Sequence, residues 1–334
     1  MTELFFWNKY KPKKLDDIYH NGRSVLLLKR LSADTNISHI YITGLQTNYT
    51  ALVANLLVKN LYKIDELRIK RIKFTLTSSI TVEINSSEYH YEFDMNYYKY
   101  MRRDIPLLII NNIVRHKNIS NNSYNIIIIQ NANLMTYNVQ AAFRRLMEKN
   151  ISSCRFILIS KNGNGIMEAL RSRCINICFN KPSFIHYRNM LNNICVNEKI
   201  KIKDSVYEDI YENSDGIIDG INLLQLYSLN KDAIQYKKKH SPYKEIVFYI
   251  KKGDIRYFSK IQDILFVLHS LDIIYTDVIK NIVTFLVKGN TNMKKISKIL
   301  SIAAECDWRC ACSNRTIIGL NLFIGKLIKL YEKK

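Results

Sequence analysis

The chain has 334 residues, 47% of them hydrophobic, and its 50 Lys and Arg against 29 Asp and Glu give a formal net charge of +21. This composition excludes a disordered chain, the absence of any apolar run of 18 residues excludes a transmembrane helix, and seven cysteines without a signal-peptide pattern exclude a disulfide-based secreted domain. We therefore expect a soluble intracellular protein of two or three domains, whose charge favours a polyanionic partner, although surface lysines alone would give the same excess.

The first 180 residues alternate between segments with strand-like and helix-like patterns. Runs of β-branched and aromatic residues predict strands at 40–43, 71–76, 89–93, 125–129 and 155–160. Asp104 as a cap and Pro106 in a first turn indicate where one helix begins. Apolar residues at helical spacing predict helices at 25–31, 52–61, 104–115 and 139–149. Alternation of this kind is typical of an α/β domain with a parallel, doubly wound sheet.

The composition changes after Pro182, and the remaining residues are expected to be mainly helical. Two short amphipathic helices are predicted at 204–211 and 217–226. The last helix presents one apolar face, made of Ile317, Leu320, Ile324, Leu327, Ile328 and Tyr331. Three lysines at 237–239 and then Pro242 indicate a linker. We therefore expect three parts: an α/β domain at 1–180, a small helical part at 181–236 and an all-helical part at 243–334.

After the strand predicted at 40–43, the chain has the strand, turn and helix of a phosphate-binding loop, whose pattern is G-x-x-x-x-G-K-[ST]. The first glycine is Gly44, but Tyr49 stands at the second glycine, Thr50 at the lysine and Ala51 at the hydroxyl position. In such a loop the backbone and the lysine hold the phosphates, and the hydroxyl helps to hold Mg²⁺. The sequence thus keeps the frame of a nucleotide site and lacks the residues that hold the nucleotide.

Four stretches, in order along the chain, resemble one protein family. They are W-N-K-Y-K-P with L-D-D-I at 7–18, V-Q-A-A-F-R-R-L-M-E-K and the strand after it at 139–159, S-R-C at 172–174, and the C-terminal I-A-A-E-C-D-W-R with the last helix. Together they resemble the small subunits of replication factor C, a clamp loader. Within that family, L-Y-K-I-D-E-L-R-I-K at 61–70 is similar to the small subunit with an atypical nucleotide site, called subunit three in animals and five in yeast.

The resemblance implies an AAA+ fold, with a RecA-like doubly wound module, a small helical lid at 181–236 and an all-helical collar at 243–334. It also implies a heteropentamer with other replication factor C subunits, which opens the PCNA clamp and places it on primer-template DNA, without a membrane. ATP and Mg²⁺ would be bound by the neighbouring subunits. The expected location is the nucleus, or a viral replication compartment if a virus encodes the chain.

Further positions of the family's ATP site carry residues unsuited to hydrolysis. Its acidic D-E-A-D stretch is replaced by Gln130, Asn131, Ala132 and Asn133. Amides supply neither the negative charge that Mg²⁺ prefers nor a general base. The sensor asparagine falls on Lys161, and the lid's sensor arginine falls on Asp219, whose charge has the wrong sign for a phosphate. The resemblance implies a pseudo-ATPase without a cofactor of its own, which still allows an adenine pocket lined by Tyr10, Pro12 and Ile18.

Ser172, Arg173 and Cys174 form the family's S-R-C motif, whose arginine reaches the ATP of the neighbouring subunit. A guanidinium there stabilises charge on the transferring phosphoryl group, so the resemblance implies that Arg173 acts in trans. Gln140 and Arg144 lie four residues apart and share one face of a helix that, in the family, links DNA occupancy to the nucleotide sites. The alternative interpretations are a solvated polar face for this pair and an ordinary surface arginine for Arg173.

DNA contact is expected at or near the helix before residue 125, because related helices follow the template backbone. The basic residues there are Lys99, Arg102, Arg103 and Arg115. Such contacts bind phosphates without reading sequence, and their affinity falls with salt.

Other clusters indicate no site of their own. Cys306, Cys310 and Cys312 lack the fourth ligand that structural zinc needs, so no metal is expected. His90, between two tyrosines in a strand, is interpreted as structural. Two functions of other classes stay open, namely an AAA+ ATPase with a non-standard active nucleotide site and a stand-alone basic DNA-binding protein. Bacterial clamp loaders also carry a subunit without ATPase activity, so equivalence to that more distant subunit stays open as well.

Overall fold

The structure is a computed structural model of the chain. It describes residues 5–34, 36–77, 80–98, 105–115, 124–151, 153–230, 242–270, 273, 275–288, 292–313 and 315–332. These residues fall into two compact units, one within 1–231 and the other within 232–334. Across these ranges, every helix is too short or too polar to cross a bilayer.

One sheet of seven strands forms the centre of the first unit, as far as its residues are described. The strands are β1 (Ile40–Gly44), β2 (Lys70–Thr77), β3 (Ile80–Ser86), β4 (His90–Asp94), β5 (Asn125–Gln130), β6 (Cys154–Ser160) and β7 (Ile175–Phe179). Their order across the sheet is β2-β3-β4-β5-β6-β1-β7. From β4 to β7 all pairs are parallel, whereas β2 pairs with β3, and β3 with β4, antiparallel. The predicted parallel α/β sheet is thus confirmed for five strands, and two antiparallel strands extend one edge.

Burial explains this division of the sheet. The four isoleucines of β5, residues 126–129, are fully buried because a central parallel strand is covered on both faces. In the added strands polar and apolar residues alternate, and Ile72 of β2 is 41% exposed. A half-exposed antiparallel pair tolerates this pattern. The expectation that the whole sheet is parallel was therefore wrong at this edge.

Helices pack on both faces of the sheet and continue beyond it in the first unit. They are α1 (Phe6–Lys9), α2 (Gly22–Ala33), α3 (Thr50–Tyr62), α4 (Ile105–Arg115), α5 (Tyr137–Lys149), α6 (Glu168–Arg171), α7 (Phe184–Asn197), α8 (Asp204–Asn213) and α9 (Ile217–Leu229). Val53 and Leu57 of α3 and Phe143 of α5 are fully buried, so these two helices supply much of the core. The helices predicted at 25–31, 52–61 and 139–149 are confirmed within a few residues at each end.

The second unit is helical throughout its described residues. Its helices are α10 (Pro242–Lys252), α11 (Phe258–Ser270), α12 (Tyr275–Lys288), α13 (Met293–Cys312) and α14 (Thr316–Tyr331). The predicted apolar face of the last helix is confirmed, because Leu320, Ile324 and Leu327 are buried in the core of this unit. Cys306 and Cys310 are buried there as free thiols. In the described part of the chain, no three metal-ligating side chains come together.

Candidate functional site

The loop after β1 begins at Gly44, where the chain runs directly against β7. Gly44 has a φ of 150°, and a Cβ at this position would lie 2.3 Å from the carbonyl oxygen of Phe179. Any other residue would therefore clash with the backbone of β7. The first glycine of the nucleotide-loop pattern is thus retained for a packing reason that does not require a nucleotide.

Tyr49 replaces the second glycine of the pattern, and its side chain points into the protein. It has a φ of 68°, in the left-handed region, and lies just before α3. Only 4% of it is exposed, and its ring stacks on Trp7 with centroids 5.1 Å apart and planes 17° from parallel. The ring of His20 lies 5.9 Å away. Burial raises the pKa of Tyr49 and lowers the pKa of His20 to about 4, so both side chains are neutral at pH 7.

The residue at the lysine position, Thr50, is part of the core. It is fully buried, and its Cγ2 packs against Gly44. The Oγ1 of Thr50 has no hydrogen-bond partner among the described residues, and neither does the Oδ1 of the buried Asn48. Asn48 instead donates from Nδ2 to the carbonyl of Phe179 at 3.4 Å. A threonine here is too short to reach phosphates, and it carries no charge.

The start of helix α9 lies directly on this loop. A Cβ at Gly216 would lie 2.3 Å from Oγ1 of Thr47 and 2.6 Å from Oδ1 of Asn48. Gly216 has an extended φ of −165°, which any residue can adopt, so close packing rather than backbone strain requires glycine here. The helix that begins at Ile217 is therefore in direct contact with the loop that would hold phosphates.

Asp219, at the sensor-arginine position, lies in the first turn of α9. Its Oδ2 accepts a hydrogen bond from the backbone N–H of Asp215 at 3.1 Å. Desolvation lowers the pKa of the nearby Lys181, and the carboxylates of Asp215 and Asp219 act in the opposite direction. Lys181 also donates to the carbonyls of Tyr211 and Ser214 at 2.5 and 2.6 Å. Asp219 thus stabilises a lysine of its own chain.

The amides after β5 lie at the carboxyl end of the sheet. Asn131 has a φ of 53°, which asparagine tolerates, and its Nδ2 donates to Oδ1 of Asp94 at 2.8 Å. Asp94 ends the neighbouring strand β4, and no motif in the sequence identifies it as part of the site. Asn133 packs against Gly165, where a Cβ would lie 2.5 Å from the Cβ of Asn133. Gln130 ends β5, and Lys161, after β6, is exposed.

A cavity of about 490 Å³ lies between the N-terminal segment and α7. Its lining includes all three residues proposed for an adenine pocket, Tyr10, Pro12 and Ile18. Tyr49 and His20 also line it, so the ring that replaces the second loop glycine forms part of its wall. The hydroxyl of Tyr10 donates to Glu198 at 2.7 Å, which ties this wall to the end of α7.

Gln140 of α5 is a buried connector between two loops. Its Nε2 donates to the carbonyls of Met135 at 3.0 Å and Gly165 at 2.8 Å, and its Oε1 accepts from the backbone N–H of Met167 at 2.7 Å. Only 4% of Gln140 is exposed. The alternative of a solvated polar face is therefore wrong for Gln140, whereas Arg144 on the same helix is 40% exposed.

The S-R-C motif follows α6 and faces the end of α5. Arg173 donates from one terminal nitrogen to the carbonyl of Ala169 at 2.5 Å and forms an ion pair with Glu148 through the other. Its side chain is 36% exposed. Ser172 donates to the same carbonyl at 3.3 Å. Cys174 is buried, which raises the pKa of its thiol to about 12, so it acts as a packing residue.

No family model matches the chain. Its similar proteins among those of known sequence are named as parts of replication factor C. A protein of Acanthamoeba polyphaga mimivirus named as a replication factor C small subunit is 30% identical over 220 residues, which cover 63% of this chain and 58% of that protein. Replication factor C subunit 5 of Saccharomyces cerevisiae is 25% identical over 349 aligned residues, covering 96% of this chain and 98% of the yeast protein. The chain is thus similar in sequence to proteins named as replication factor C small subunits.

A plant protein with a replication factor C name is also similar to this chain. Replication factor C subunit 3 of Arabidopsis thaliana is 25% identical over 221 residues, covering 63% of this chain and 62% of the plant protein. The matched region is thus less than two thirds of the length of the mimivirus and plant proteins.

Solved structures of RuvB show the fold. The Thermotoga maritima RuvB Holliday junction branch migration motor has a TM-score of 0.50 at 12% identity, covering 75% of this chain and 80% of that chain. An alanine-to-serine variant of RuvB has a TM-score of 0.51 at 12% identity, covering 80% and 86%. The predicted AAA+ α/β fold is confirmed.

The residues predicted to contact DNA lie mostly outside the described residues. This applies to Lys99, Arg102 and Arg103. Arg115 ends helix α4, and its side chain also lies outside what is described. Two tyrosines precede them in the chain: Tyr98 is buried, and Tyr97 is exposed. The assignment of these basic residues to DNA contact stays a prediction.

Proposed function

We propose that this chain is a non-catalytic small subunit of a replication factor C-type clamp loader, equivalent to the small subunit with an atypical nucleotide site. In this role it assembles with other replication factor C subunits into a heteropentamer that loads the PCNA clamp onto primer-template DNA during replication. The homology supports the assembly and the process. The site geometry supports the absence of turnover at this subunit.

The observation that carries the proposal is the position of Tyr49. Its ring is buried against Trp7, at a position where a nucleotide-binding loop has a glycine without a side chain. Gly216, just before helix α9, packs against Thr47 of the same loop. Neither a lysine nor a carboxylate stands at the positions that would hold phosphate and Mg²⁺, because these are Thr50 and Asn131. We infer that ATP and Mg²⁺ are bound by neighbouring subunits.

The contribution of this chain to catalysis is then a single group supplied to the neighbour. Arg173 lies at the surface beyond α6, partly exposed, with a guanidinium that can contact a phosphate of another subunit. The buried Gln140 ties α5 to the segment that leads to Arg173. This connection would transmit a change at α5, on binding DNA, to the neighbour's ATP site. The protein would be located in the nucleus, or in the viral replication compartment if a virus encodes the chain.

Two alternatives are less well supported. An AAA+ ATPase with a non-standard site would need a cation to replace the loop lysine, yet the residue there is a fully buried threonine with an unpartnered hydroxyl. A stand-alone basic DNA-binding protein accounts for the net charge of +21. It does not account for homology along nearly the whole yeast subunit.

The test is the substitution Arg173→Ala in a loader reconstituted with all its subunits. We expect assembly to be unchanged and DNA-stimulated ATP hydrolysis to fall, because an arginine finger contributes on the order of 10³-fold or more to turnover at the site that it serves. The matched control is Arg188→Ala, which removes a guanidinium of similar exposure, 46%, that pairs with Asp204. Equal ATP turnover by the two variants would contradict the proposal.

A further inference from the structure

The segment 165–173, which ends at Arg173, is bound to helix α5 at two points. Gln140, Arg144 and Glu148 are spaced four residues apart and therefore lie along one face of the helix. Gln140 binds Gly165 and Met167 near the start of the segment, and Glu148 binds Arg173 near its end. The two points are eight residues apart, or roughly 12 Å along the helix axis. The segment between them is fixed to α5 at both ends.

The contact at Glu148 joins one carboxylate to two guanidinium groups. Arg173 pairs with its Oε1 through a terminal nitrogen, and Nε of Arg144 lies 3.9 Å from the same oxygen. Both described bonds of Arg173, to Glu148 and to the carbonyl of Ala169, use terminal nitrogens. They occupy two of the five N–H donors that a guanidinium carries. The group is therefore fixed in orientation while donors are left for a further acceptor.

The net positive charge of the side chains at this contact favours binding of a phosphate. A lone Arg–Glu pair would be neutral and would attract a polyanion only weakly. With Arg144 beside Glu148, the three side chains carry a formal net charge of +1. All three are between 36% and 45% exposed, so the contact lies at the surface where another subunit could reach it.

We propose that Glu148 is the positioning residue for Arg173: it fixes the guanidinium against α5 so that the remaining donors face the ATP of the neighbouring subunit. The proposal rests on the trans role of Arg173 proposed above. Because Gln140 fixes the other end of the same segment, a movement of α5 would displace Arg173 with it. Glu148 would thereby connect the position of α5 to the rate of ATP hydrolysis at the site of the neighbouring subunit.

The experiment uses the full reconstituted loader, with the other ATP sites inactivated so that only the site facing Arg173 turns over. Four variants are compared with the wild-type chain: Arg173→Ala, Glu148→Ala, Glu148→Gln and the control Glu212→Gln, which removes an exposed carboxylate from α8. We expect Glu148→Ala to lower kcat by about 10-fold or more with little change in KM, because a small misplacement of a catalytic group costs up to about 100-fold. Glu148→Gln should retain part of the rate, since its amide oxygen still accepts a hydrogen bond.

The outcomes separate this inference from the function on which it rests. If Arg173→Ala leaves kcat unchanged, the trans role itself is wrong. If Arg173→Ala abolishes turnover but both Glu148 variants match Glu212→Gln, only the positioning role is wrong. A rise in kcat for Glu148→Ala would also overturn it, because Glu148 would then restrain the arginine. Size-exclusion chromatography shows whether each variant assembles, and the near-isosteric Glu148→Gln keeps the test valid if Glu148→Ala does not.

Discussion

Replacing Tyr49 by glycine restores the nucleotide-loop pattern at one position, and the structure predicts that this change destabilises the protein. The aromatic ring is buried and stacked on Trp7, and removing a buried aromatic side chain costs about 3–5 kcal/mol. Glycine adopts the left-handed conformation at φ 68° without strain, which stabilises the folded state by about 1–2 kcal/mol. The packing loss is the larger of the two, so we expect a net loss of about 1–4 kcal/mol.

The opposite end of the same helix offers a matched control. Lys63 follows α3, has a φ of 54° and is exposed, so Lys63→Gly relieves the same backbone strain without losing buried contacts. We expect this variant to be more stable by about 1 kcal/mol. The assay is urea unfolding followed by the fluorescence of Trp7, in a background with Trp308→Phe, since Trp308 is exposed and the chain has two tryptophans. If Tyr49→Gly stabilised the unit as Lys63→Gly does, Tyr49 would not be a core residue.

Two further predictions concern the first unit. His20 and His39 are buried, which lowers the pKa of each from 6.5 to about 4, so the unfolded chain takes up protons first as the pH falls. Stability should be full above pH 6.5 and decrease between pH 6.5 and 4, by up to roughly 3 kcal/mol for each histidine, and His39→Asn should flatten this slope in denaturant titrations. Gly216→Ala should cost about 1–3 kcal/mol because its Cβ would overlap Thr47, whereas Gly22→Ala, with open space around it, should cost nothing in the same unfolding assay.

The sequence predicted the parallel part of the sheet because its strands are continuous apolar runs. β5 is recognisable from the four isoleucines at 126–129 alone. β3, at Ile80–Ser86, was missed because its polar residues do not form a buried run, and its antiparallel pairing depends on a neighbour that periodicity does not identify. β7, at Ile175–Phe179, was missed because it is short and follows the S-R-C motif directly.

The candidate site was predictable in its residue types and not in its contacts. The substitutions at Tyr49 and Thr50 are visible in the pattern, but the stacking of Tyr49 on Trp7 joins residues 42 positions apart in the chain. Likewise, the sequence singled out Arg173 and not Glu148, because a glutamate on a polar helix is unremarkable until its partner is known. Spacing along one element is local information, whereas ion pairs between elements depend on the fold.

The most direct measurement is ATP binding and hydrolysis by the purified chain alone, in the presence of Mg²⁺. We expect no hydrolysis above the protein-free rate, because the loop holds the buried Thr50 and the strand end holds Asn131. Thr50→Ala and Asn131→Ala should therefore leave the readout unchanged. Magnesium-dependent hydrolysis that either substitution abolishes would show that this subunit has an ATPase site of its own, which contradicts the proposed function.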